Sequence, residues 1–205
     1  MISYLFNLLV NIDDVLISIV QTYGVWVYPL LFAIIFLETG VVITPFLPGD
    51  SMIFAAGAIA SIGELNVILL FVLMASAAIL GDTVNYWIGK FVGLKIVNPK
   101  YKKYIFKTEK FYDKHGGKTL IYARFIPFIR TFAPFVAGIG KMNYIKFLTF
   151  NIIGGVFWTG LFVFSGYFFG NLPFVKENLS IFILLILSTS FIPIIIELIN
   201  KKRNH

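Results

Sequence analysis

The chain has 205 residues, of which 59% are apolar, 18% aromatic and only 13% charged. An ordinary soluble domain carries about 45–50% apolar and about 25% charged residues. Too few polar side chains are present to cover a surface in water, so the composition indicates a membrane protein. It excludes a soluble enzyme, a disordered chain and a nucleic-acid-binding protein.

The net charge of +7 is divided unevenly along the chain. Residues 1–89 contain six acidic residues and no lysine or arginine, whereas residues 90–205 contain all 17 basic residues. Because basic residues concentrate in the cytoplasmic loops of membrane proteins, this asymmetry indicates membrane topology rather than an acidic soluble partner.

The first 62 residues predict two elements. Residues 1–24 read as an amphipathic or membrane-embedded helix. Residues 25–62 are apolar, carry Glu38 and Asp50, and have about twelve uncharged residues on each side of a centre broken at Pro45, Pro48 and Gly49. An arm of that length rises about 18 Å, which is less than the bilayer core of about 30 Å. We therefore predict a re-entrant hairpin over residues 25–62, which enters and leaves the membrane by the same face.

The middle of the chain predicts a second unit of the same kind. Residues 65–88 predict a transmembrane helix, interrupted only by Asp82 near its end, and residues 89–118 form a basic loop with nine lysines. Residues 119–140 predict another re-entrant hairpin, which carries Arg124 and Arg130 and is broken at Pro127 and Pro134.

The last third predicts two further transmembrane helices, over residues 145–170 and 178–200, followed by a basic tail at 201–205. Three crossings would place the lysine-rich loop, the turn at Lys141 and the C-terminus on the cytoplasmic side. Five full crossings would put basic segments on both sides and fit worse.

Two parts of the chain resemble each other. Pro45-Phe46-Leu47 precedes Ala56-Gly57 much as Pro127-Phe128-Ile129 precedes Ala137-Gly138, and each set is followed about 40 residues later by an aromatic pair and glycine. A unit of one re-entrant hairpin and one transmembrane helix crosses the membrane once, so its two ends lie on opposite sides. A second copy of the unit must therefore run through the membrane in the inverted orientation. The predicted fold is an all-α integral membrane protein of two inverted repeats, each a re-entrant hairpin plus a transmembrane helix, with an extra C-terminal transmembrane helix.

Ionisable side chains inside a membrane are costly and mark candidate sites. Two hairpins that meet would place Glu38, Asp50, Arg124 and Arg130 around one polar cavity. Guanidinium suits phosphate, which makes Arg124 and Arg130 candidate ligands for a phosphate headgroup. Carboxylates in a partly dry cavity are candidates for proton coupling. Alternatively, the four charges only pair to hold the hairpins together. Asp82 is a candidate for proton relay or for pairing with an arginine; alternatively, it is an interfacial residue whose charge stays in water.

The chain resembles the DedA family, whose members share the VTT domain, over about residues 25–175. The resemblance rests on Glu38 with residues 45–50 (PFLPGD), on residues 81–90 (GDTVNYWIGK), and on residues 122–131 (YARFIPFIRT) with Ala137-Gly138. Lys90 stands where members commonly have arginine. The resemblance implies facing re-entrant hairpins and functional roles for Glu38, Asp50, Arg124 and Arg130. It also implies transbilayer movement of lipids such as undecaprenyl phosphate or phosphatidylethanolamine, with dependence on the proton motive force.

We therefore expect a lipid transporter in the bacterial cytoplasmic membrane. Arg124 and Arg130 would bind a phosphate headgroup, preferably that of undecaprenyl phosphate, and Glu38, Asp50 and Asp82 would couple transport to protons. The alternatives are a phospholipid scramblase and a small-cation/proton antiporter. We expect no enzyme activity, because no nucleophile with its base is recognisable, and no metal or other cofactor. The expected partners are membrane lipids and protons, without nucleic acid, and self-association is left open.

Overall fold

The computed structural model describes residues 18, 20–40, 49–93, 117–170 and 172, and these contain helices and turns but no β-strand. The predicted breaks Pro45 and Pro48 lie outside the described residues, as do most of the N-terminal helix and of the basic loop and all of the helix at 178–200.

Six α-helices are described: α1 (Val27–Gly40), α2 (Gly49–Ser61), α3 (Val67–Ile88), α4 (Lys118–Ala123), α5 (Pro127–Ile139) and α6 (Tyr144–Gly170). Helix α1 follows a 3₁₀ turn at Gly24–Trp26, and α3 continues into a π-helical turn at Gly89–Gly93.

Three helices are long and apolar enough to cross a membrane: Val20–Gly40, Val67–Phe91 and Tyr144–Gly170. The last two match the predicted transmembrane helices. The first lies largely in the region predicted as a hairpin, and its 21 residues exceed the predicted arm of about twelve. It is longer because residues before position 25 join it and because Glu38, taken as the end of the apolar run, stays inside the helix.

The second hairpin region turns at residues 124–126, and α5 begins at Pro127. Ile126 is extended and Pro127 occupies the first helical turn, where its missing N–H has no intrahelical partner to lose. The prediction that Pro134 also breaks the hairpin is wrong, because Pro134 lies inside α5. Neighbouring groups can compensate a proline within a membrane helix.

The described residues form two compact units. The first contains residues up to 31, residues 49–73 and residues from 160 onward; the second contains residues 32–40, 74–93 and 117–159.

In the first unit, α2 packs closely against the end of α6. A Cβ on Gly57 would collide with the backbone oxygen of Val163, and one on Gly166 with that of Phe54. Small residues of this kind let two helix backbones approach each other.

In the second unit, α5 packs in the same way against the end of α3. A Cβ on Gly138 would collide with the backbone oxygen of Tyr86, and one on Gly89 with that of Phe135. The apolar core beside this contact includes Tyr86, Leu120, Ala123, Ala133, Ala137, Met142 and Phe147.

Helices α3 and α6 begin alike. The side-chain oxygen of Asn66 accepts hydrogen bonds from the N–H groups of Ile68 and Leu69, both at 3.0 Å. That of Asn143 accepts from Ile145 at 3.0 Å and Lys146 at 3.2 Å. Each asparagine therefore caps its helix.

Candidate functional site

Four charged side chains are buried in the described part of the second unit: Glu38 on α1, Asp82 on α3, Arg124 at the end of α4 and Arg130 on α5. Each is at most 4% exposed. A buried charge is very costly unless an opposite charge and hydrogen bonds compensate it. The contacts of these four residues therefore define the site.

Arg130 pairs with Glu38. Its Nη2 donates to Glu38 Oε1, and its guanidinium carbon lies 4.6 Å from the ring centroid of Trp158 on α6. The carboxylate neutralises the guanidinium, and the indole face adds a cation–π attraction.

Arg124 pairs with Asp82. Its Nη2 donates to Asp82 Oδ2 and to the side-chain oxygen of Asn151 on α6. The amide nitrogen of Asn151 donates in turn to the backbone oxygen of Ile79, at 3.0 Å. Asn151 thus links the guanidinium to the helix that carries its carboxylate partner.

Two glycines on α6 make room for the Arg124 side chain. A Cβ on Gly154 would lie 3.0 Å from Cδ and 3.1 Å from Nε of Arg124, and one on Gly155 would lie 3.5 Å from Nη2. The first two distances are shorter than ordinary van der Waals contact. The guanidinium therefore lies against helix backbone that a larger side chain would cover.

Asn85 connects the backbones beside the other ion pair. Its side-chain nitrogen donates to the backbone oxygen of Thr39 at 3.1 Å and to that of Thr131 at 2.7 Å. Thr39 follows Glu38 in α1, and Thr131 follows Arg130 in α5. Asn85 therefore holds together the two helices that carry this pair.

A small cavity of about 10 Å³ lies beside the arginines. That volume suffices for about one water molecule. Its lining residues are Asp82, Leu120, Arg124, Arg130, Ala133, Pro134, Phe147 and Asn151. A phosphate group needs more space than this cavity offers.

The structure brings together three of the four residues predicted to share the cavity, namely Glu38, Arg124 and Arg130. Asp82, predicted as a further proton-coupling residue or an interfacial one, belongs to this group as well. Asp50 belongs to the first unit, in the first turn of α2, which Gly49 begins. The sequence left open whether Asp82 pairs with an arginine or lies in water at the membrane interface. The structure shows that it is buried and paired with Arg124.

Three residues of the site were not predicted: Asn85, Asn151 and Trp158. All three are at most 2% exposed. The two asparagines were recognisable as amides within long apolar runs, where an unsatisfied polar group is costly. Nothing in the sequence distinguishes Trp158 from the other aromatic residues of α6.

Comparison with known proteins shows the family to which the chain is related. A family model described as the VTT domain matches residues 47–168. The chain is 51% identical to Protein DedA of Escherichia coli K12, over 99% of this chain and 96% of that protein. It is 42% identical to the uncharacterized membrane protein ML0287 of Mycobacterium leprae, over 82% and 78% of the two chains. It is 32% identical to the inner membrane protein YghB of Escherichia coli K12, over 74% and 72%. No solved structure matches the chain.

The described part of the chain is helical, with three membrane-capable helices and two buried ion pairs, and this defines an integral membrane protein with a polar site inside it. The chain belongs to the DedA family of membrane proteins, and most of its length is a VTT domain.

Proposed function

We propose that this protein carries a phosphate-bearing lipid across the bacterial cytoplasmic membrane and that proton movement drives the transport. The observation that carries the proposal is the pairing of each buried arginine with one carboxylate in the second unit. A phosphate headgroup and a carboxylate compete for the same guanidinium, so binding of one anion requires release of the other.

Protonation supplies this release. A neutral Glu38 or Asp82 loses most of its attraction for the neighbouring arginine, and the freed guanidinium can then take a phosphate oxygen. Return of the proton to the other side would restore the ion pair and expel the headgroup. The proposed cycle therefore links one lipid to the protonation of named carboxylates.

Undecaprenyl phosphate is the preferred cargo. A phosphomonoester offers up to two negative charges and three terminal oxygens, which suits two guanidiniums. A phospholipid scramblase is the nearest alternative, because a phosphodiester headgroup would use the same arginines. A cation antiporter fits less well, because the two buried carboxylates of the second unit, Glu38 and Asp82, already face arginines.

The proposed architecture is a pair of inverted repeats. Helices α2 and α5 support it, because they are alike in three ways. Each has 13 residues, and each is followed by a long helix that an asparagine caps. Each also packs through a glycine against the end of a long helix. Transporters built this way place their substrate where the broken helices of the two repeats meet. We assign Asp50, on the first repeat, to proton coupling as the sequence predicts.

A flipping assay tests the phosphate role of the arginines. Proteoliposomes would contain a fluorescent polyprenyl phosphate, and a membrane-impermeant quencher would report its appearance in the outer leaflet. We expect the Arg124→Ala, Arg130→Ala double variant to flip no faster than protein-free vesicles. Lys118→Gln, which removes an exposed charge from α4, should retain the normal rate. Normal flipping by the double variant would refute the proposal.

Further experiments distinguish loss of phosphate binding from loss of folding, and distinguish polyprenyl phosphate from other cargoes. Arg124→Lys and Arg130→Lys keep the positive charge but remove the planar guanidinium that can bind two phosphate oxygens at once. If these variants fold but no longer flip polyprenyl phosphate, the result supports bidentate binding of the phosphate. Equal flipping of labelled phosphatidylethanolamine by the parent protein would favour the scramblase. Dissipation of a pH gradient by Na⁺ or K⁺ in vesicles without labelled lipid would favour the antiporter.

Proton coupling has its own test. Glu38→Gln and Asp82→Asn are near-isosteric and cannot become charged. We expect an imposed pH gradient to accelerate flipping by the parent protein and by Glu64→Gln, an exposed-carboxylate control, but not by either buried variant. An unchanged response in both buried variants would contradict coupling through these carboxylates.

A further inference from the structure

A second cavity lies in the second unit, where α3 ends and α6 begins. It has a volume of about 740 Å³, is open on one side, and is lined in part by Lys90, Phe91, Lys141, Tyr144 and Ile145. Its size is that of a small-molecule site. Among the described lining residues the charged ones are both lysines and none is acidic. The cavity therefore favours an anion.

Lys141 holds a backbone conformation that favours glycine. Its φ is 49°, in the left-handed region. The N–H of Met142 donates to the oxygen of Ala137 at 3.0 Å, and that of Lys141 donates to the oxygen of Gly138 at 3.1 Å. These bonds define the helix-ending motif in which glycine is usual at the position of Lys141. Because glycine would serve the backbone better, a lysine here indicates a use for its side chain.

Lys90 is held in place by aromatic rings. Its Nζ lies 4.7 Å from the ring centroid of Trp87 and 6.0 Å from that of Tyr86. The rings of Trp87 and Tyr144 are 5.2 Å apart. Tryptophan and tyrosine are enriched where membrane helices reach the headgroups. The ammonium group of Lys90 is therefore preorganised at a helix end where headgroups are expected.

The rim of the cavity is apolar and exposed. Phe91 is 60% exposed and Ile145 is 75% exposed, and both lie within a turn of the end of a membrane-capable helix. Two lysines beside exposed apolar side chains match a ligand with an anionic head and hydrocarbon chains. A small soluble anion would leave the apolar rim unused.

We propose that this cavity is a binding site for the headgroup of an anionic phospholipid. Lys90 and Lys141 contact the phosphate, and Phe91 and Ile145 contact the acyl chains. The site is separate from the buried ion pairs, and its occupancy does not depend on transport. It would anchor the ends of α3 and α6 to the anionic leaflet that the lysine asymmetry predicts to be cytoplasmic.

Fluorescence quenching by brominated lipids tests the site. The full chain carries Trp26→Phe, which leaves Trp87 as the accessible tryptophan because Trp158 is buried. Vesicles of phosphatidylcholine would contain either brominated phosphatidylglycerol or brominated phosphatidylcholine at equal fraction. We expect stronger quenching by the anionic lipid.

Three lysine variants distinguish an effect of the lysine charges on lipid binding from an effect on protein stability. Lys141→Gly removes a charge and relieves the backbone, so its thermal stability should equal or exceed that of the parent while its preference for the anionic lipid falls about fivefold, the effect of about 1 kcal/mol per basic residue. Lys90→Gln should lower the preference similarly. Lys146→Gln, an exposed charge outside the cavity lining, should leave it unchanged.

Several results would overturn the proposal. One is an absence of preference in the parent protein, and another is an unchanged preference in stably folded Lys141→Gly. An equal loss in Lys146→Gln would show a general surface charge instead of a site. Abolition of the preference by millimolar inorganic phosphate would assign the cavity to a free anion. Loss of lipid flipping with retained quenching would count against the transport proposal alone.

Discussion

The buried charges described in the second unit form two ion pairs, Glu38 with Arg130 and Asp82 with Arg124. Removal of one member of a buried pair leaves the other charged in a medium that cannot solvate it, and typically costs about 3–5 kcal/mol. Replacement of both members costs less, because no uncompensated charge is left. This non-additivity distinguishes an ion pair from two independent polar residues.

We expect Arg124→Gln to lower the free energy of unfolding by about 3–5 kcal/mol. Adding Asp82→Asn should recover part of this loss, because two neutral amides replace an unpaired carboxylate. Denaturant titration in mixed micelles would measure both values. Glu64→Gln removes an exposed carboxylate and should change stability by less than about 0.5 kcal/mol. Strictly additive effects of the two buried substitutions would contradict the pairing.

Asn85 supports a second prediction at this scale. Asn85→Ala removes both donors and leaves the backbone oxygens of Thr39 and Thr131 without this partner, so we expect a loss of about 2–3 kcal/mol. The same titration would measure it, with Thr149→Ala as an exposed control on α6. A loss similar to that of the control would show that the two hydrogen bonds are not formed.

Individual helices are positioned by glycines as much as by apolar side chains. Helix α2 contacts α6 through Gly57 in the first unit, and α5 contacts α3 through Gly138 in the second. Each short helix therefore packs on the long helix that the predicted repeat order assigns to the other repeat. Each unit is accordingly assembled from segments that are distant in the chain.

The glycine contacts predict that glycine-to-alanine substitutions lower stability at some positions and leave it unchanged at another. Gly57→Ala and Gly138→Ala each place a methyl group on the backbone of the facing helix, and we expect losses of about 1–3 kcal/mol. Gly160→Ala is the matched control, since its Cβ would be 3.4 Å from the side chain of Phe71. The control should be neutral or slightly stabilising, because alanine favours the helix. Thermal stability in detergent would measure all three, and equal tolerance of all three would contradict close backbone packing.

The distribution of lysine predicts how the whole molecule is oriented in the membrane. The predicted topology places the loop at 89–118 on the cytoplasmic side and the acidic segment around Glu64 on the outside. The absence of native cysteine makes this topology directly testable.

Single cysteines would report the two sides of the membrane. We expect Lys110→Cys to react with an impermeant maleimide only after cell lysis, and Glu64→Cys to react in intact cells. A cysteine at position 205, predicted to be cytoplasmic, should behave like that at position 110. Reaction of positions 64 and 110 from the same side would refute an odd number of crossings between them.

The sequence by itself determined the class of protein, two of its long helices, the turn before Pro127, and three of the four charges of the buried site. These features follow from composition, apolar run length and the backbone chemistry of proline, which act locally. Only the tertiary structure decided that Asp82 is buried against Arg124, and that Asn85, Asn151 and Trp158 complete the site. Those contacts join residues that are 27 to 72 positions apart. These contacts form only where two helices come close together. Glycines such as Gly138 and Gly154 allow the close approach, because a larger side chain at either position would collide with the neighbouring residue.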